Sequence, residues 1–245
     1  MAYGKFSGMK QIAILGLGHF GKSILDELLE LNVDVLIVDK DRDVIDAYKD
    51  APVSAMALDI LTVETLRKIL PESIDAVIID MGDKIEASVL AASYCAKLNI
   101  KTIIVKAETG PHGEILELVG ATKVVFPNRE AAKRITPLLL STSMLSYLPV
   151  IGSLAIAELA IPDTFFGKTL LETELRKKHQ LNLLSIRNGE AEYAICDPAY
   201  IFNDGDIGLF YGSSEALRKF SGSPLNENHP QRNFIQKMLN ALRNA

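Results

Sequence analysis

Three glycines with the spacing G-x-G-x-x-G follow an apolar run near the start of this sequence. They are Gly16, Gly18 and Gly21. Where a strand turns into a helix, the first glycine permits the tight turn, the second lets a phosphate approach the backbone, and the third lets the helix pack closely on the strand. The helix N-terminus adds free N–H groups and a positive dipole end. The motif therefore predicts a pyrophosphate site with His19 and Phe20 beside it; the alternative is a tight turn without a ligand.

Asp39 is the candidate for binding a ribose. It ends the second predicted strand, where a carboxylate can accept hydrogen bonds from both ribose hydroxyls. Because this carboxylate would repel a 2′-phosphate, NADP is disfavoured. The alternative is that Asp39 caps a helix that begins near Asp41, since aspartate is a good N-cap residue. Lys40, the next residue, is included in the predicted site.

Further charged residues end later predicted strands. Asp59 and Asp80 are expected to face the crevice outside the carboxyl ends of the parallel strands, although helix capping explains each of them equally well. If Asp80 lies near a phosphate it needs a cationic neighbour. Lys106, at the end of the fifth strand, is the candidate; an exposed lysine at a strand end is the alternative.

Signs of catalysis are missing from the sequence. It contains no Tyr-x-x-x-Lys pair, no Walker A lysine and no nucleophile elbow. Cys95 and Cys196 lie far apart without a C-x-x-C motif, so no metal site is predicted. A nucleotide site without reacting side chains indicates a sensor rather than an enzyme.

The composition restricts the class of protein. A formal net charge of −5 gives no broad basic surface, so nucleic acid is not an expected partner. The N-terminus lacks the apolar core of a secretory signal, which favours the cytoplasm. The apolar stretch 138–161 is long enough for a membrane span, but Pro149, Gly152 and Glu158 within it favour a helix end followed by a strand.

The elements that must position these residues alternate in type. Six short apolar runs end at Gly16, Asp39, Asp59, Asp80, Lys106 and Pro127, with segments of helical period between them. This alternation predicts an α/β fold, a Rossmann-like doubly wound parallel sheet buried on both faces. The stretch Glu130 to Tyr147 is predicted as one more helix, kinked or restarted at Pro137.

The pattern changes after Ser153 to that of a small α+β module. A strand over 153–161, a helix over 169–179, a hairpin turning at Asn188-Gly189 and a strand over 205–212 are predicted. The predicted domains are 9–140, 141–222 and a C-terminal tail, 223–245, with a short amphipathic helix. That helix is marginal alone, so it is expected to dock on its own chain or on a partner.

Taken together, several motifs resemble a known family. In the first module they are GLGHFG at 16–21, Val38-Asp39, the stretch that starts with Asp80-Met81-Gly82, Val105-Lys106-Ala107, the segment 111–121 and the pair 126–127. In the second module they are 167–170, 186–189 and 204–212. As a set they resemble the RCK (KTN, or TrkA-N plus TrkA-C) regulatory subunits of Trk and Ktr potassium transporters, over about residues 9 to 222.

The resemblance implies a cytoplasmic, peripheral regulatory subunit at the inner face of the cell membrane. It implies a dimer that assembles into an octameric ring beneath a pore-forming subunit, and gating by an adenine nucleotide, ATP or ADP, or NAD or NADH. It also implies that Asp59 and Ile60 flank the adenine and that Lys106 lies near the phosphates, within a site that includes Met81. His19 stands where Ktr-type proteins usually carry arginine, which favours ADP or NAD, and Asn128 stands where they often carry a metal-binding glutamate.

Two other functions stay open at this point. One is an NAD-dependent oxidoreductase, for which a second module of about 70 residues is small. The other is a nucleotide-dependent regulator of a different cation transporter.

Overall fold

The computed structural model describes residues 10–31, 33–59 and 62–222. The chain divides into two compact units, the first ending at Asn128 and the second beginning at Arg129. The domain limits given above, 9–140, 141–222 and 223–245, stay a prediction. Ile60 and the tail from 223 onward lie outside the described residues.

The first unit contains a six-stranded sheet in which every neighbouring pair is parallel. Its strand order is β3-β2-β1-β4-β5-β6, which is the order of a doubly wound dinucleotide-binding fold. The predicted Rossmann-like fold class is thereby confirmed. The strands are β1 (Gln11–Leu15), β2 (Asp34–Asp39), β3 (Ser54–Ala57), β4 (Ala76–Ile79), β5 (Ile103–Lys106) and β6 (Lys123–Val125).

The sheet is buried on both faces because its central strands are apolar at successive positions. Leu15 and Val38 belong to one core cluster, while Ile14 and Ile37, their neighbours in sequence, belong to the other. All four side chains are fully buried. Successive side chains of a strand point to opposite faces, so an uninterrupted apolar run buries both.

Helices cover the two faces of this sheet. Threonine side chains start two of them: Thr62 accepts a hydrogen bond from the Thr65 amide, and Thr109 accepts one from the His112 amide. The helices are α1 (His19–Leu29), α2 (Arg42–Asp46), α3 (Val63–Ile69), α4 (Ile85–Lys97) and α5 (Gly110–Leu118). The loops after β1 and β4 diverge at the point where the strand order reverses, which is where ligands bind in such sheets.

The predicted helix from Glu130 to Tyr147 is wrong in its second half. Helix α6 (Pro127–Leu140) includes Pro137, and the chain then enters strand β7 (Met144–Ile151). The Ser141 hydroxyl accepts hydrogen bonds from the amides of Ser143 and Met144, so a side chain replaces the helical backbone bonds there. Two register shifts interrupt the pairing of β7, which removes the alternating pattern that marks a strand.

The second unit contains a four-stranded antiparallel sheet of order β7-β8-β10-β9. Its core is aromatic and aliphatic, and Phe202 and Phe210 are the largest of its fully buried side chains. The predicted α+β module is confirmed. Its remaining elements are β8 (Leu154–Ala160), a 3-10 helix (Asp163–Phe165), α7 (Leu170–Thr173), α8 (Leu175–His179), β9 (Leu181–Asn188), β10 (Asp206–Ser213) and α9 (Ser214–Phe220).

Two local predictions in this unit hold only in part. The helix over 169–179 is broken at Glu174, which takes a left-handed conformation with φ of 48°. The chain does turn at Asn188-Gly189, but the returning segment pairs with β9 through one antiparallel bridge, between Ile186 and Ala194, and forms no full strand in the described residues. The other edge of β9 pairs with β10, and the Asn188 side chain donates to the Asp206 carboxylate at the start of β10.

No helix within the described ranges is both long and apolar enough to cross a membrane.

Candidate functional site

The glycine loop joins β1 to α1 at the carboxyl edge of the parallel sheet. Gly16 has a φ of 84°, and a Cβ there would collide with the backbone carbonyl of Asp80. A Cβ on Gly18 would lie 2.6 Å from the carboxylate carbon of Asp80, which no real contact allows. A Cβ on Gly21 would lie 2.7 Å from the Gly16 carbonyl oxygen. The glycines therefore allow close approach of the loop, the first turn of α1 and the end of β4.

The backbone amides of this loop fall into two groups. The Leu17 amide donates to Asp39 and the Gly21 amide donates to Asp80. In the part of the chain that the structure describes, no acceptor lies within hydrogen-bond distance of the amides of Gly18, His19 and Phe20. Donors at a helix N-terminus without an internal partner, together with the helix dipole, form a binding site for an anion such as a phosphate.

Asp39 is half-buried at the end of β2 and orients the glycine loop. Its Oδ2 accepts from the Leu17 amide at 2.7 Å and its Oδ1 accepts from the Asp41 amide at 2.9 Å. Asp41, not Asp39, caps α2, because its side chain accepts from the Asp43 amide. Each carboxylate oxygen of Asp39 has a second lone pair, so both can still accept from a ligand hydroxyl.

Asp80 is buried beneath the glycine loop, 1% exposed. Its carboxylate accepts from the amides of Gly21 at 2.9 Å and Gly82 at 3.2 Å. The Lys106 amine lies 3.5 Å from Asp80 and 2.7 Å from Glu108. Burial alone would lower the pKa of Lys106, but the hydrogen bond to Glu108 and the charge of Asp80 outweigh it, so this pKa lies above its ordinary value. The lysine therefore stays charged between two carboxylates.

A cleft of about 500 Å³ opens at this edge of the sheet. Seven of the predicted site residues line it: Gly16, Gly18, Asp39, Lys40, Asp59, Asp80 and Met81. Four others do not line it: His19, Phe20, Gly21 and Lys106. His19 is exposed at the first position of α1, and Lys106 reaches the site only through Asp80.

The sequence did not single out the apolar part of the cleft. Val44 and Leu58 line it on the side of Asp39, and Ala87 of α4 lines it on the side of Asp80. Apolar side chains of this size form a surface on which a planar ring can pack. Val44 and Leu58 could have been predicted only from the position of α2 and of the β3–α3 loop beside the crevice, and Ala87 only from that of α4. A larger cleft, of about 1000 Å³, lies at the opposite ends of β1 and β2, away from the glycine loop.

His112 connects α5 to α4 near Glu108. It is 3% exposed, its Nδ1 accepts from the Glu108 amide at 3.4 Å, and its Nε2 lies 2.8 Å from the Ser88 hydroxyl. The Ser88 hydroxyl donates to the Ile85 carbonyl, so it accepts the proton carried by Nε2. Burial lowers the pKa of His112 despite the neighbouring Glu108, which keeps the ring neutral.

This histidine makes the stability of the chain depend on pH. A pKa that is lower in the folded than in the unfolded protein means that the unfolded state binds the proton first, so stability is lost as the pH falls below about 6.5. The loss from His112 is at most about 1.4 kcal/mol for each pH unit. We expect His112→Gln to show a shallower decline of the free energy of unfolding between pH 7 and 5 in urea titrations. If the free energy of unfolding falls equally with pH in both proteins, each compared with its own value at pH 8, this role of His112 is wrong.

Comparisons with known proteins place the chain in a family. Residues 12–127 match the TrkA-N domain family. Ktr system potassium uptake protein C of Bacillus subtilis (strain 168) is 30% identical over 211 residues, which cover 86% of this chain and 96% of the relative. Ktr system potassium uptake protein A of the same organism is 26% identical over 211 residues, which cover 86% and 95%.

Among solved structures, the GsuK RCK domain superposes with a TM-score of 0.61 at 18% identity. The match covers 91% of this chain and 50% of that one, so this chain spans half of that structure's length and shares its fold. The identity that carries the assignment is the one to protein C, because it extends over nearly all of that relative. The chain belongs to the family of the Ktr system potassium uptake proteins A and C.

Proposed function

We propose that the chain is a nucleotide-sensing regulatory subunit that gates a Trk/Ktr-type potassium uptake system from the cytoplasmic side of the membrane. The observation that carries the proposal is the set of unpartnered amides at Gly18, His19 and Phe20 beside Asp39, in a chain of the Ktr family. A phosphate-bearing ligand is the chemistry that such amides accept. A membrane transporter is the partner that the names of the relatives support.

The ligand of the proposed site is an adenine nucleotide, ATP or ADP, or NAD or NADH. Its phosphates lie against the amides after Gly16, in a loop whose close packing against β4 and α1 Gly18 and Gly21 permit. Asp39 accepts from the ribose hydroxyls, and Lys40 lies at the rim. The base packs between Val44 and Leu58, near Asp59; the contact expected from Ile60 lies outside the described residues. Met81 borders the cleft from the end of β4, and Lys106 acts through Asp80.

The site supports sensing rather than catalysis. No histidine, tyrosine, serine or cysteine is among the described residues that line the cleft. Its titratable side chains are aspartates and lysines, and the oxygens of Asp39 and Asp80 already accept from backbone amides. Nothing in the geometry favours an oxidoreductase over a regulator.

Exposed apolar side chains support assembly into a homo-oligomer. Ile135 and Leu139 lie four residues apart on one face of α6 and are 53% and 78% exposed. Neighbouring exposed apolar side chains of this kind are a feature of protein interfaces. We propose a dimer that assembles into an octameric ring peripheral to the membrane, at the inner face of a pore-forming subunit. A nucleotide would act on such a ring only through a difference in affinity for two ring shapes.

The test is potassium flux through the transporter reconstituted from the same organism. We expect flux into proteoliposomes to change with added nucleotide only when the chain is present. Asp39→Ala should remove this response, whereas Glu72→Gln, an exposed change at the other end of the sheet, should keep it. A flux that responds equally with and without the chain would overturn the proposal.

Asp39 also determines which dinucleotide binds. We expect NADP to bind at least about 10-fold more weakly than NAD, because the 2′-phosphate meets a carboxylate and removes a hydroxyl donor. Asp39→Ser should narrow this preference by weakening NAD binding. Calorimetric titration of both dinucleotides measures the ratio. Equal affinities in the unsubstituted protein would contradict the ribose assignment.

A further inference from the structure

We propose that Asp80 is a specificity-determining residue of the cleft, selecting nucleotides with an internal diphosphate, such as NAD and NADH, over nucleotides with a terminal phosphate, such as ADP and ATP. This inference rests on the proposed nucleotide site and specifies the charge of the ligand that fits it. It follows from where Asp80 lies, from the donors it occupies and from the charges around it.

The Asp80 carboxylate lies against the glycine loop itself. It accepts from the amide of Gly21, in the first turn of α1, and it fills the space that a side chain on Gly18 would need. An anion on the remaining amides of this turn is therefore next to a buried carboxylate. Two negative groups in a site shielded from water repel each other more strongly than they would on the surface.

Asp80 also occupies the Gly21 amide, which is then not available to bind the ligand. With the Leu17 amide on Asp39 and the Gly21 amide on Asp80, the loop offers the amides of Gly18, His19 and Phe20. These three donors suit a diphosphate that is esterified at both ends, in which each phosphate carries one charge. A terminal phosphate carries close to two negative charges at neutral pH, because its second pKa is about 6.

Lys106 does not reverse this balance. Its amine is held 2.7 Å from Glu108 and 3.5 Å from Asp80, so one cation faces two carboxylates. Around the cleft, five carboxylates stand against two lysines: Asp39, Asp41, Asp59, Asp80 and Asp83, with Lys40 and Lys84. Both lysines are exposed, where a charge contributes little, and so are Asp41, Asp59 and Asp83. The charges that act most strongly on a bound phosphate are therefore those of Asp39 and Asp80.

The carboxylates of the cleft are not arranged around a common cation. Over residues 10–31, 33–59 and 62–222, no three histidine, cysteine, aspartate or glutamate side chains are grouped so that they could hold a metal ion. Asp39 and Asp80 instead use their oxygens for backbone amides. Among the described residues that line the cleft, the cations are the exposed Lys40 and Lys84, so the ligand with the lower charge is favoured.

Calorimetric titrations of NAD and ATP, in EDTA so that each nucleotide keeps its own charge, test the proposal. We expect the unsubstituted protein to bind NAD at least about 10-fold more tightly than ATP. Asp80→Asn should narrow this ratio by about 10-fold, mainly through tighter ATP binding. The control Glu72→Gln removes the same charge at the opposite end of the sheet and should leave the ratio unchanged.

A pH series tests the unsubstituted protein even where Asp80→Asn fails to fold. Lowering the pH from about 8 to about 6 protonates part of the terminal phosphate of ATP, whose second pKa is about 6, and leaves the charge of the NAD diphosphate unchanged, so the NAD-to-ATP affinity ratio should fall. ATP bound as tightly as NAD, or a ratio that neither pH nor Asp80→Asn changes, would overturn the selectivity while leaving the nucleotide site intact. No binding of either nucleotide would overturn the site and the selectivity together.

Discussion

Gly16→Ala is expected to lower the free energy of unfolding by about 2–5 kcal/mol, because two penalties combine. A φ of 84° is a left-handed conformation that costs a residue with a Cβ about 1–2 kcal/mol. The new methyl group would also collide with the Asp80 carbonyl and push β4 away from the loop. Urea denaturation followed by circular dichroism measures the change.

Gly82→Ala is the matched control for this variant. Gly82 also has a positive φ, 64°, but nothing lies within 4 Å of the position that its Cβ would take. We expect it to cost about 1–2 kcal/mol, from backbone strain alone. If Gly16→Ala lowers the free energy of unfolding by no more than Gly82→Ala does, the glycine loop does not lie as close to the end of β4 as described.

Lys106→Met is expected to destabilise the protein by about 2–4 kcal/mol. The substitution keeps the apolar stem but leaves the buried Asp80 carboxylate without its cation. A buried charge that loses its partner keeps its desolvation cost, and the amides of Gly21 and Gly82 compensate for only part of it. Urea denaturation at pH 7 measures the loss.

The comparison for this variant is Lys177→Met. Lys177 pairs with Glu174 at 3.0 Å, but its side chain is 81% exposed, so its removal should cost less than about 1 kcal/mol. The double variant Lys106→Met with Asp80→Asn should recover part of the lost stability, because no buried charge remains. A single variant as stable as the unsubstituted protein would show that the ion pair does not act as described.

The fold of the first unit could be predicted closely from its sequence, because its strands can be recognised from local apolar patterns. A central strand buried on both faces, such as Ile12 to Leu15, is apolar at successive positions, and the glycines that follow it act within one turn. The signal is local, so no knowledge of the rest of the chain is needed. Asp39 was predictable for the same reason, since it ends a strand at the expected distance from the loop.

The second unit followed less closely, because its pairing is decided by distant residues. The turn at Asn188-Gly189 forms, but the long antiparallel partner of β9 is β10, which begins further along the chain, at Asp206, and not the segment that follows the turn. Strand β7 lacks an alternating pattern because its register shifts twice. Tertiary contacts of this kind leave no periodic trace in the sequence.

Within the site, the sequence indicated Asp80 and Lys106 but not what they do. The Asp80 carboxylate lies under Gly18 and accepts from the Gly21 amide, and it shares Lys106 with Glu108. This arrangement depends on three loops that are distant in sequence. Helix capping and ligand contact were equally good interpretations of an aspartate at the end of a strand. The structure adds a third, in which the carboxylate holds the loop that would hold the ligand.

The amides at the start of α1 are expected to hold the phosphates of an adenine nucleotide. Crystals of the full chain grown with millimolar NAD test this. We expect electron density for a diphosphate against the amides of Gly18, His19 and Phe20, with the adenosine ribose on Asp39. Crystals with an empty cleft at this edge of the sheet, or with the nucleotide bound elsewhere on the chain, would contradict it.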